Sequence, residues 1–373
     1  MININNIEIT PNILNKIAKI DEFKGNWSAN SLNLSQSELN VMKRVATIES
    51  VGSSNRIEGN KLSDKEIEEL FNNINKKSFT SRDEEEVKGY ADLVNLVFDD
   101  YNEIPLTENY IKGLHKILLR YSKKDERHLG EYKKDSNRVV AYDEKGKEIG
   151  TIFETATPFD IPFMMTKLVS WLNDSLNEKL LHPIIIIGIF IVHFLSIHPF
   201  TDGNGRLSRV LTVLLMLKCN YTYMPYTSME SIIEASKDAY YRALRNTQKT
   251  IFEDKVDYEP WLTFFVTSLE KQIKVLTEKI NLLKTDNKNK DASNSRNLLS
   301  STSSLILDLF SNNKTLTISE IVNLTSINIE TTRKAVQKLV KEGFLIKLGT
   351  TKSARYKKSR VCPKKSVKVV LQK

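Results

Sequence analysis

The chain has 373 residues, a length typical of two or three domains. Hydrophobic residues make up 40% of it and charged residues 27%, a globular composition that excludes a collagen-like chain, a coiled-coil rod and a wholly disordered protein. The two cysteines, Cys219 and Cys362, exclude a disulfide framework and favour a reducing compartment. No signal-peptide pattern follows Met1, and no apolar run is long enough to span a bilayer. We therefore expect a cytoplasmic protein without membrane attachment.

The positive charge of the chain is concentrated at its C-terminal end. Residues 341–373 contain eleven Lys and Arg and one acid, so this segment has a net charge of +10. The whole chain has a net charge of +9, and the other 340 residues therefore sum to −1. A confined basic tract indicates a nucleic-acid contact near the C-terminus, or a solvated tail from Lys364 onward.

Helical periodicity dominates the first 284 residues. Residues 35–100 are predicted to be helical, with a capping box from Ser63 to Glu66. An amphipathic helix is predicted over residues 107–121, with its buried face formed by Tyr110, Ile111, Leu114, Ile117 and Leu118. Residues 137–142 predict a strand, and residues 143–146 a turn. Further helices are predicted over residues 162–173, 184–197, 207–217, 231–247 and 260–283.

The remainder of the chain has a different pattern. Residues 285–304 contain three apolar residues among twenty and are predicted to be a linker. Short helices are predicted over residues 305–310, 318–324 and 329–341, and a capping box from Thr317 to Glu320 starts the second. A stop at Gly343 and a hairpin from residues 344–347 and 354–358 follow. Together these elements resemble a winged helix-turn-helix domain with a basic tail, over residues 305–373. Its third helix should present polar and basic side chains outward: Thr331, Arg333, Lys334, Gln337 and Lys338. The pattern is compatible with DNA or RNA contact and equally with protein contact or dimerisation.

One polar stretch, residues 198–209, lies between two apolar helices and contains several groups of chemical use. His198 exchanges a proton near neutral pH, and Asp202 is an acid suited to Mg²⁺ with substrate phosphates. Gly203 and Gly205 allow backbone N–H groups to approach an anion at the positive end of the next helix. Two arginines on its first turn, Arg206 and Arg209, can bind phosphates. The stretch predicts a site for a metal-bound polyphosphate with an adjacent base, and it lacks the Walker A and GxGxxG patterns.

The same stretch, His198-Pro199-Phe200-Thr201-Asp202-Gly203-Asn204-Gly205-Arg206-Leu207-Ser208-Arg209, matches the Fic motif HxFx(D/E)GNGRxxR at every specified position. The chain resembles the Fic family over roughly residues 35–285. The resemblance implies a mainly α fold: an N-terminal helical region over residues 1–100, a Fic-type helical core with a β-hairpin flap over residues 101–284, the linker over residues 285–304 and the C-terminal winged helix.

The activity that the resemblance implies is transfer of AMP from ATP to a Ser, Thr or Tyr hydroxyl of a protein. It gives His198 the role of base and Asp202 that of Mg²⁺ ligand. The residues expected to bind ATP are Gly203, Asn204, Gly205, Arg206, Leu207, Ser208, Arg209 and the tandem tyrosines Tyr240 and Tyr241. The flap would be the strand containing Arg138, Val139, Val140 and Ala141, where the target segment aligns. Upstream of it, Lys133 stands where the family usually has Arg.

Residues 54–59 (Ser-Asn-Arg-Ile-Glu-Gly) resemble the family's inhibitory motif [ST]xxxE[GN], and we call them the inhibitory motif. The resemblance implies that Ser54, Glu58 and Gly59 form it and that the Glu58 carboxylate pairs with Arg209, where the γ-phosphate would bind. We also expect the chain to modify itself and to form a homodimer.

Three alternatives are compatible with the sequence. The protein could be a nucleotide-sensing transcriptional regulator that acts through the winged helix. It could be a Fic enzyme that uses another donor, as phosphocholine-, UMP- or phosphate-transferring members do. It could also remove AMP, a reaction for which Glu58 would align water. The intact motif favours AMP transfer from ATP.

Overall fold

The computed structural model describes residues 7–31, 34–72, 79–142, 148–179, 181–292, 306, 309–310, 315–325, 327–341, 344–349 and 354–358. The predicted turn at residues 143–146 and the predicted stop at Gly343 lie outside the described residues. The chain divides into two compact units, residues 1–284 and 285–373. Among the helices so described, none is long and apolar enough to cross a membrane.

The first unit is mainly helical. Its helices are α1 (Pro11–Ser31), α2 (Gln36–Ile57), α3 (Asp64–Asn72), α4 (Arg82–Asp100), α5 (Glu108–Leu118), α6 (Ile161–Glu178), α7 (Pro183–Ile197), α8 (Asn204–Lys218), α9 (Met229–Ala235), α10 (Lys237–Gln248) and α11 (Glu259–Ala292). Between α5 and α6, strands β1 (Arg138–Tyr142) and β2 (Glu148–Glu154) pair antiparallel, with Arg138 opposite Glu154. The predicted mainly helical fold is confirmed.

Helix α7 lies at the centre of this unit. Its residues are apolar on every face, and all of Ile184–Ile197 except His193 are buried. A helix of this kind is stable only when surrounded by protein, and α6 and α8 pack against it. The indole N–H of Trp261 on α11 donates to the carbonyl of Gly188 at 2.7 Å, which fixes α11 against the same helix. The segment that follows α7 therefore starts from a rigid support.

Several elements differ from the predictions. Helix α1 was not predicted, although Ile13, Ile17 and Ile20 form a buried face at helical spacing. The predicted helix over residues 231–247 is two helices that meet at Ser236, whose backbone leaves the helical conformation. Tyr110, predicted to be buried, is 46% exposed because the buried face of α5 is centred on other positions, and Ile117 is only partly buried.

The predicted linker begins as a helix. Helix α11 continues to Ala292, so residues 285–292 are helical rather than irregular. No Gly or Pro interrupts the chain between residues 261 and 292, so no strong helix breaker separates residues 285–292 from the rest of the helix.

The second unit has a small core of its own. Strand β3 (Leu316–Thr317), α12 (Ile318–Thr325), α13 (Ile329–Lys341), β4 (Leu345–Leu348) and β5 (Arg355–Lys358) form it, with the antiparallel strand order β3-β5-β4. The described residues of the first predicted helix, 306 and 309–310, are helical. Thr317 and Glu320 form the predicted capping box. On α13, Val336 and Leu339 are buried, and the five residues predicted to face outward are exposed.

Candidate functional site

The residues from His198 to Gly203, which we call the motif loop, connect the buried helix α7 to α8. His198 ends α7 in the left-handed region (φ 52°), and Gly203 precedes α8 with φ 79°. Helix α8 begins at Asn204 rather than at the predicted residue 207. The Asn204 side chain accepts from the N–H of Phe200 at 3.0 Å and donates to its carbonyl at 2.8 Å, which closes the loop. Gly205 and Arg206 therefore lie in the first turn of the helix.

His198 has the environment of a neutral proton acceptor. Its Nδ1–H donates to the carbonyl of Leu195 at 3.4 Å, because a carbonyl can only accept. This tautomer leaves the Nε2 lone pair available. Burial, and then the positive charge of Lys133, lower the pKa of His198 to about 4. The imidazole is thus uncharged at neutral pH and can take a proton from an incoming group.

Asp202 belongs to a closed ring of four charged side chains, which we call the ion ring. Its Oδ1 lies 3.2 Å from Arg206, and its Oδ2 lies 3.3 Å from Arg82 on α4. Glu86, also on α4, closes the ring by pairing with Arg82 at 2.7 Å and with Arg206 at 3.3 Å. Burial opposes ionisation of Asp202, but Arg206, the N–H of Gly203 and Arg82 outweigh it and lower the pKa of Asp202. The carboxylate is therefore kept charged.

The donor set at Asp202 fits Mg²⁺ bound together with a polyphosphate. In the described part of the chain, no group of three or more His, Cys, Asp or Glu is arranged to hold a metal ion. Mg²⁺ is commonly bound by one or two carboxylates with substrate phosphates and water completing its shell, so a single ionised, one-third exposed Asp202 is sufficient.

Arg209, on the second turn of α8, is bound by the inhibitory motif of α2. Its Nε donates to Ser54 Oγ at 2.8 Å, and its Nη2 donates to the Ser54 carbonyl at 2.9 Å and to Glu58 Oε1 at 2.8 Å. A Cβ at Gly205 would lie 2.2 Å from Glu58 Oε1, so the carboxylate sits directly against the first turn of α8. Burial opposes the charge of Arg209, but Glu58 and the nearby phenols raise the pKa of Arg209 above its usual value.

The two arginines of α8 retain unused donors. Within the described residues, Nε of Arg206 and Nη1 of Arg209 are buried without a hydrogen-bond acceptor, whereas Nη1 of Arg206 pairs with Glu86 at 3.3 Å. Unsatisfied buried donors are costly unless an acceptor arrives, and a bound anion would supply one. Leu207 is buried in the core, and Ser208 Oγ donates to the Gly205 carbonyl at 2.8 Å, so both support the turn.

Tyr240 and Tyr241 lie side by side on α10, with ring centroids 5.0 Å apart in an edge-to-face arrangement. Tyr240 is buried against Trp261 and Phe264, and burial raises its pKa to about 12. Tyr241 is only partly buried. Tyr240 is thus part of the aromatic core beside Arg209, whereas Tyr241 keeps some exposed surface.

The strand with Arg138, Val139, Val140 and Ala141 forms one side of the hairpin, as predicted. Lys133 joins the base of this hairpin to the motif loop. Its backbone N–H donates to the Pro199 carbonyl at 2.9 Å, and its ammonium donates to Asn137 and Thr155, which flank the two strands, at 2.5 and 2.6 Å. Burial lowers the pKa of Lys133 to about 8.

Sequence reasoning missed some supporting residues of this site. His115 on α5 stacks on Phe200 at 3.8 Å and donates from Nε2 to the Asp202 carbonyl at 3.0 Å, while its Nδ1 accepts from Gly130. Arg82 and Glu86 were also missed. These residues are more than 80 positions from the motif loop, so no local spacing indicates them.

Comparison with known proteins agrees with this geometry. Residues 105–216 match the Fic/DOC family. A probable protein adenylyltransferase of Aquifex aeolicus is 30% identical over 109 residues, which are 29% of this chain and 33% of that protein. The protein adenylyltransferase Fic of Drosophila melanogaster is 28% identical over 116 residues, which are 31% of this chain and 21% of that protein. The match therefore spans a third or less of these curated relatives.

Solved structures share the fold. A Fic family protein from Desulfovibrio desulfuricans superposes with a TM-score of 0.61 at 20% identity, over 96% of this chain and 99% of that one. A Fic domain containing signaling protein from Bacteroides thetaiotaomicron gives 0.57 at 23% identity, over 70% of this chain and 96% of that one. The chain thus contains a Fic/DOC family domain, and its motif loop, α8 and flanking helices are those of a Fic fold.

Proposed function

We propose that the protein is an adenylyltransferase that transfers AMP from ATP to a Ser, Thr or Tyr hydroxyl of a protein. The observation that carries the proposal is the close grouping of a neutral histidine, His198, with the N-terminus of α8 and its two arginines. A base, an anion site and an ionised metal ligand within twelve residues are the parts that phosphoryl transfer needs, because this chemistry depends on positioning and charge neutralisation. Matching relatives named protein adenylyltransferases support the same reaction.

In the proposed reaction, His198 accepts the proton of the target hydroxyl as its oxygen attacks the α-phosphorus. The new oxygen–phosphorus bond forms as the bond to the β-phosphate oxygen breaks, and pyrophosphate leaves. The backbone N–H groups of Asn204 and Gly205 bind α- and β-phosphate oxygens, since the N–H of Gly203 is bonded to Asp202 and the Asn204 side chain is bonded to Phe200. The Nε of Arg206, which has no acceptor among the described residues, serves the β-phosphate. Mg²⁺ held by Asp202 would neutralise phosphate charge.

Glu58 keeps this site inhibited in the proposal. Its carboxylate takes an Arg209 donor at 2.8 Å and lies against Gly205, where the terminal phosphate of ATP would otherwise bind. Two anions cannot share that position, so ATP would bind with its phosphates misaligned until Glu58 leaves. Ser54 holds the other side of the same guanidinium, and Gly59, with φ 96°, ends α2 immediately after Glu58.

The hairpin would position the target. A free β1 edge could pair with an extended target segment and align its hydroxyl with His198, a mode known as β-augmentation. The partly exposed Tyr241 is the better candidate of the two tyrosines for contact with the adenosine.

We propose that the protein acts in the cytoplasm as a homodimer. Its targets would be other proteins and the chain itself.

The domain organisation that we propose is an N-terminal region over residues 1–100 and a Fic domain over residues 101–284, followed by the winged helix over residues 305–373. For the winged helix we propose nucleic-acid contact through α13. Its exposed residues Thr331, Arg333, Lys334, Gln337 and Lys338 supply the hydrogen-bonding and basic groups that such a contact uses. An electrophoretic mobility shift with residues 285–373 tests this, since a shift insensitive to salt and unaffected by Arg333→Ala would contradict it.

The test of the main proposal is the intact mass of the Glu58→Gly protein after incubation with ATP and Mg²⁺. We expect a gain of one or more AMP groups, and no gain in the double variant Glu58→Gly/His198→Ala. Competition by unlabelled GTP and UTP distinguishes ATP from other donors. Labelling that persists without His198 would overturn the assigned base.

A further inference from the structure

The ion ring is unequal in its burial. Arg206 and Glu86 have side chains that are 2% and 9% exposed, so they are fixed inside the protein. Arg82 is 49% exposed and Asp202 33%. Arg82 is a long side chain at the start of α4. It is therefore the one member of the ring that can leave without exposing a buried charge.

The two oxygens of Asp202 are also unequal. Oδ1 accepts from the N–H of Gly203 at 2.5 Å and from buried Arg206 at 3.2 Å. Within the described residues, the hydrogen bond that Oδ2 accepts comes from Arg82, at 3.3 Å. Oδ1 is thus committed to the fold of the motif loop, and Oδ2 is the oxygen available to a metal ion.

We propose that Arg82 is a placeholder cation, which occupies the metal position on Asp202 Oδ2 in the empty site and withdraws when magnesium-loaded ATP binds. The inference rests on the proposed function, because it takes Asp202 as the metal ligand. Two cations on one carboxylate oxygen repel each other, so the guanidinium has to move before the metal can use Oδ2. Its Nε remains bound to Glu86 at 2.7 Å, which gives Arg82 a place to stay after release.

The placeholder has two consequences. It keeps the Asp202 carboxylate pointed at the site before the nucleotide arrives, since Arg82 binds its Oδ2 at 3.3 Å. It also weakens metal binding, because the energy of the Arg82–Asp202 contact has to be given up. For a half-exposed ion pair this corresponds to roughly two- to fivefold in affinity.

The competing role for Arg82 is direct contact with the phosphates. The two roles predict opposite effects of Arg82→Gln on nucleotide binding. If Arg82 is a placeholder, Arg82→Gln leaves the affinity for metal-free nucleotide unchanged and increases the gain in nucleotide affinity that Mg²⁺ provides. If Arg82 binds the phosphates directly, Arg82→Gln weakens nucleotide binding both with and without Mg²⁺.

The experiment is calorimetric titration of a non-hydrolysable ATP analogue into the Glu58→Gly protein, with Mg²⁺ and with EDTA. The ratio of the two affinities is the magnesium gain. We expect Arg82→Gln to raise the magnesium gain roughly two- to fivefold, and Arg82→Lys, which keeps a cation, to raise it less. An unchanged gain, or a loss of affinity in EDTA, would overturn the placeholder role.

Lys124→Gln is the matched control. The charge of Lys124 acts on Asp202 without a contact between the two side chains. If Lys124→Gln raises the magnesium gain as much as Arg82→Gln, the effect is one of net charge and the proposal fails. Asp202→Asn separates this proposal from the proposed function: if the gain survives Asp202→Asn, the metal ligand itself was assigned wrongly.

Discussion

His198 is kept neutral by its surroundings, and this has a measurable effect on pH dependence. A base works only when unprotonated, so activity is lost as pH falls through its pKa. Because burial and Lys133 lower that pKa to about 4, we expect self-labelling by the Glu58→Gly protein to show no histidine step between pH 7.5 and 5.5. Single-turnover rates across this range test it, with circular dichroism as the check that the protein stays folded. An acid limb centred at pH 6.5 would contradict the prediction.

Lys133 provides the control for that profile. Removing its charge by Lys133→Met removes one of the two causes that lower the pKa of His198, so the acid limb should move to higher pH. Lys133→Arg keeps the charge and should leave the limb in place. If both variants lose rate equally with no shift in the limb, Lys133 only supports the hairpin.

In the proposed function, Glu58 determines whether Arg209, on the second turn of α8, is free to bind the terminal phosphate of ATP. We expect Glu58→Gly to raise self-labelling on the order of tenfold or more, because a hydrogen bond between charged groups contributes about 1.5–3 kcal/mol. Glu58→Gln, which keeps the shape but loses the charge, should give an intermediate rate. Initial rates of AMP incorporation measure both. Equal rates in the wild type and in Glu58→Gly would contradict inhibition by Glu58.

At the scale of elements, helix α2 is attached to α9 by Arg56 of the inhibitory motif. Its guanidinium donates to both carboxylate oxygens of Glu234, at 2.7 and 3.0 Å, and also pairs with Asp64 at 2.8 Å. The contact lies two residues before Glu58, so it holds the end of α2 where Glu58 can reach α8. Release of Glu58 should therefore require that this attachment loosens.

We expect Glu234→Gln to raise self-labelling a few-fold, less than Glu58→Gly, because it weakens the attachment of α2 without removing the inhibitory carboxylate. Glu49→Gln is the matched control, since Glu49 lies earlier on α2 and pairs with Lys279 of α11 at 3.0 Å. Initial rates of AMP incorporation compare the two. The attachment has no regulatory part if the two variants give the same rate.

The elements that the sequence predicted well are those with a strong local pattern. Helix α7 is apolar throughout, and the capping boxes at Ser63 and Thr317 mark true helix starts. The errors have causes other than hydrophobic periodicity. Helix α8 begins three residues early because the Asn204 side chain bonds to Phe200, and α11 passes residue 284 because nothing stops it. The hydrophobic periodicity of a short sequence window predicts neither effect.

The motif loop was predictable because its functional groups are contiguous in the chain. Their supports were not, because they come from other elements: His115 from α5, Arg82 and Glu86 from α4, and Lys133 from the segment before the hairpin. The ion ring becomes visible only when α4, α8 and the motif loop are assembled. The roles assigned to the loop stay predictions until the variants above are measured.

At the scale of the whole molecule, buried and partly buried histidines couple stability to pH. Burial, the largest cause in each case, lowers the pKa of His115 and His198 to about 4 and of His193 to about 3. Below pH 6.5 the unfolded chain binds these three protons and the native protein does not. The free energy of unfolding therefore falls as pH drops from about 6.5 toward 4, by up to roughly 4 kcal/mol per pH unit.

Denaturant unfolding of the full chain at pH 7, 6 and 5 measures this slope. His115→Gln, which keeps a donor for the Asp202 carbonyl, should remove about a third of it, because one of three coupled protons is lost. A free energy of unfolding that is constant from pH 7 to pH 5 would show that the native protein does not lower the pKa of these three histidines.

In the proposed function, Arg209 and the first turn of α8 bind the end of an ATP molecule, whose place Glu58 takes in this structure. A crystal structure of the Glu58→Gly protein with Mg²⁺ and a non-hydrolysable ATP analogue tests it directly. We predict that the terminal phosphate lies on Arg209 and that the Nε2 of His198 faces the α-phosphorus, with room for an acceptor hydroxyl between them. Arg209 turned away from the triphosphate, or an α-phosphate out of reach of His198, would contradict the account.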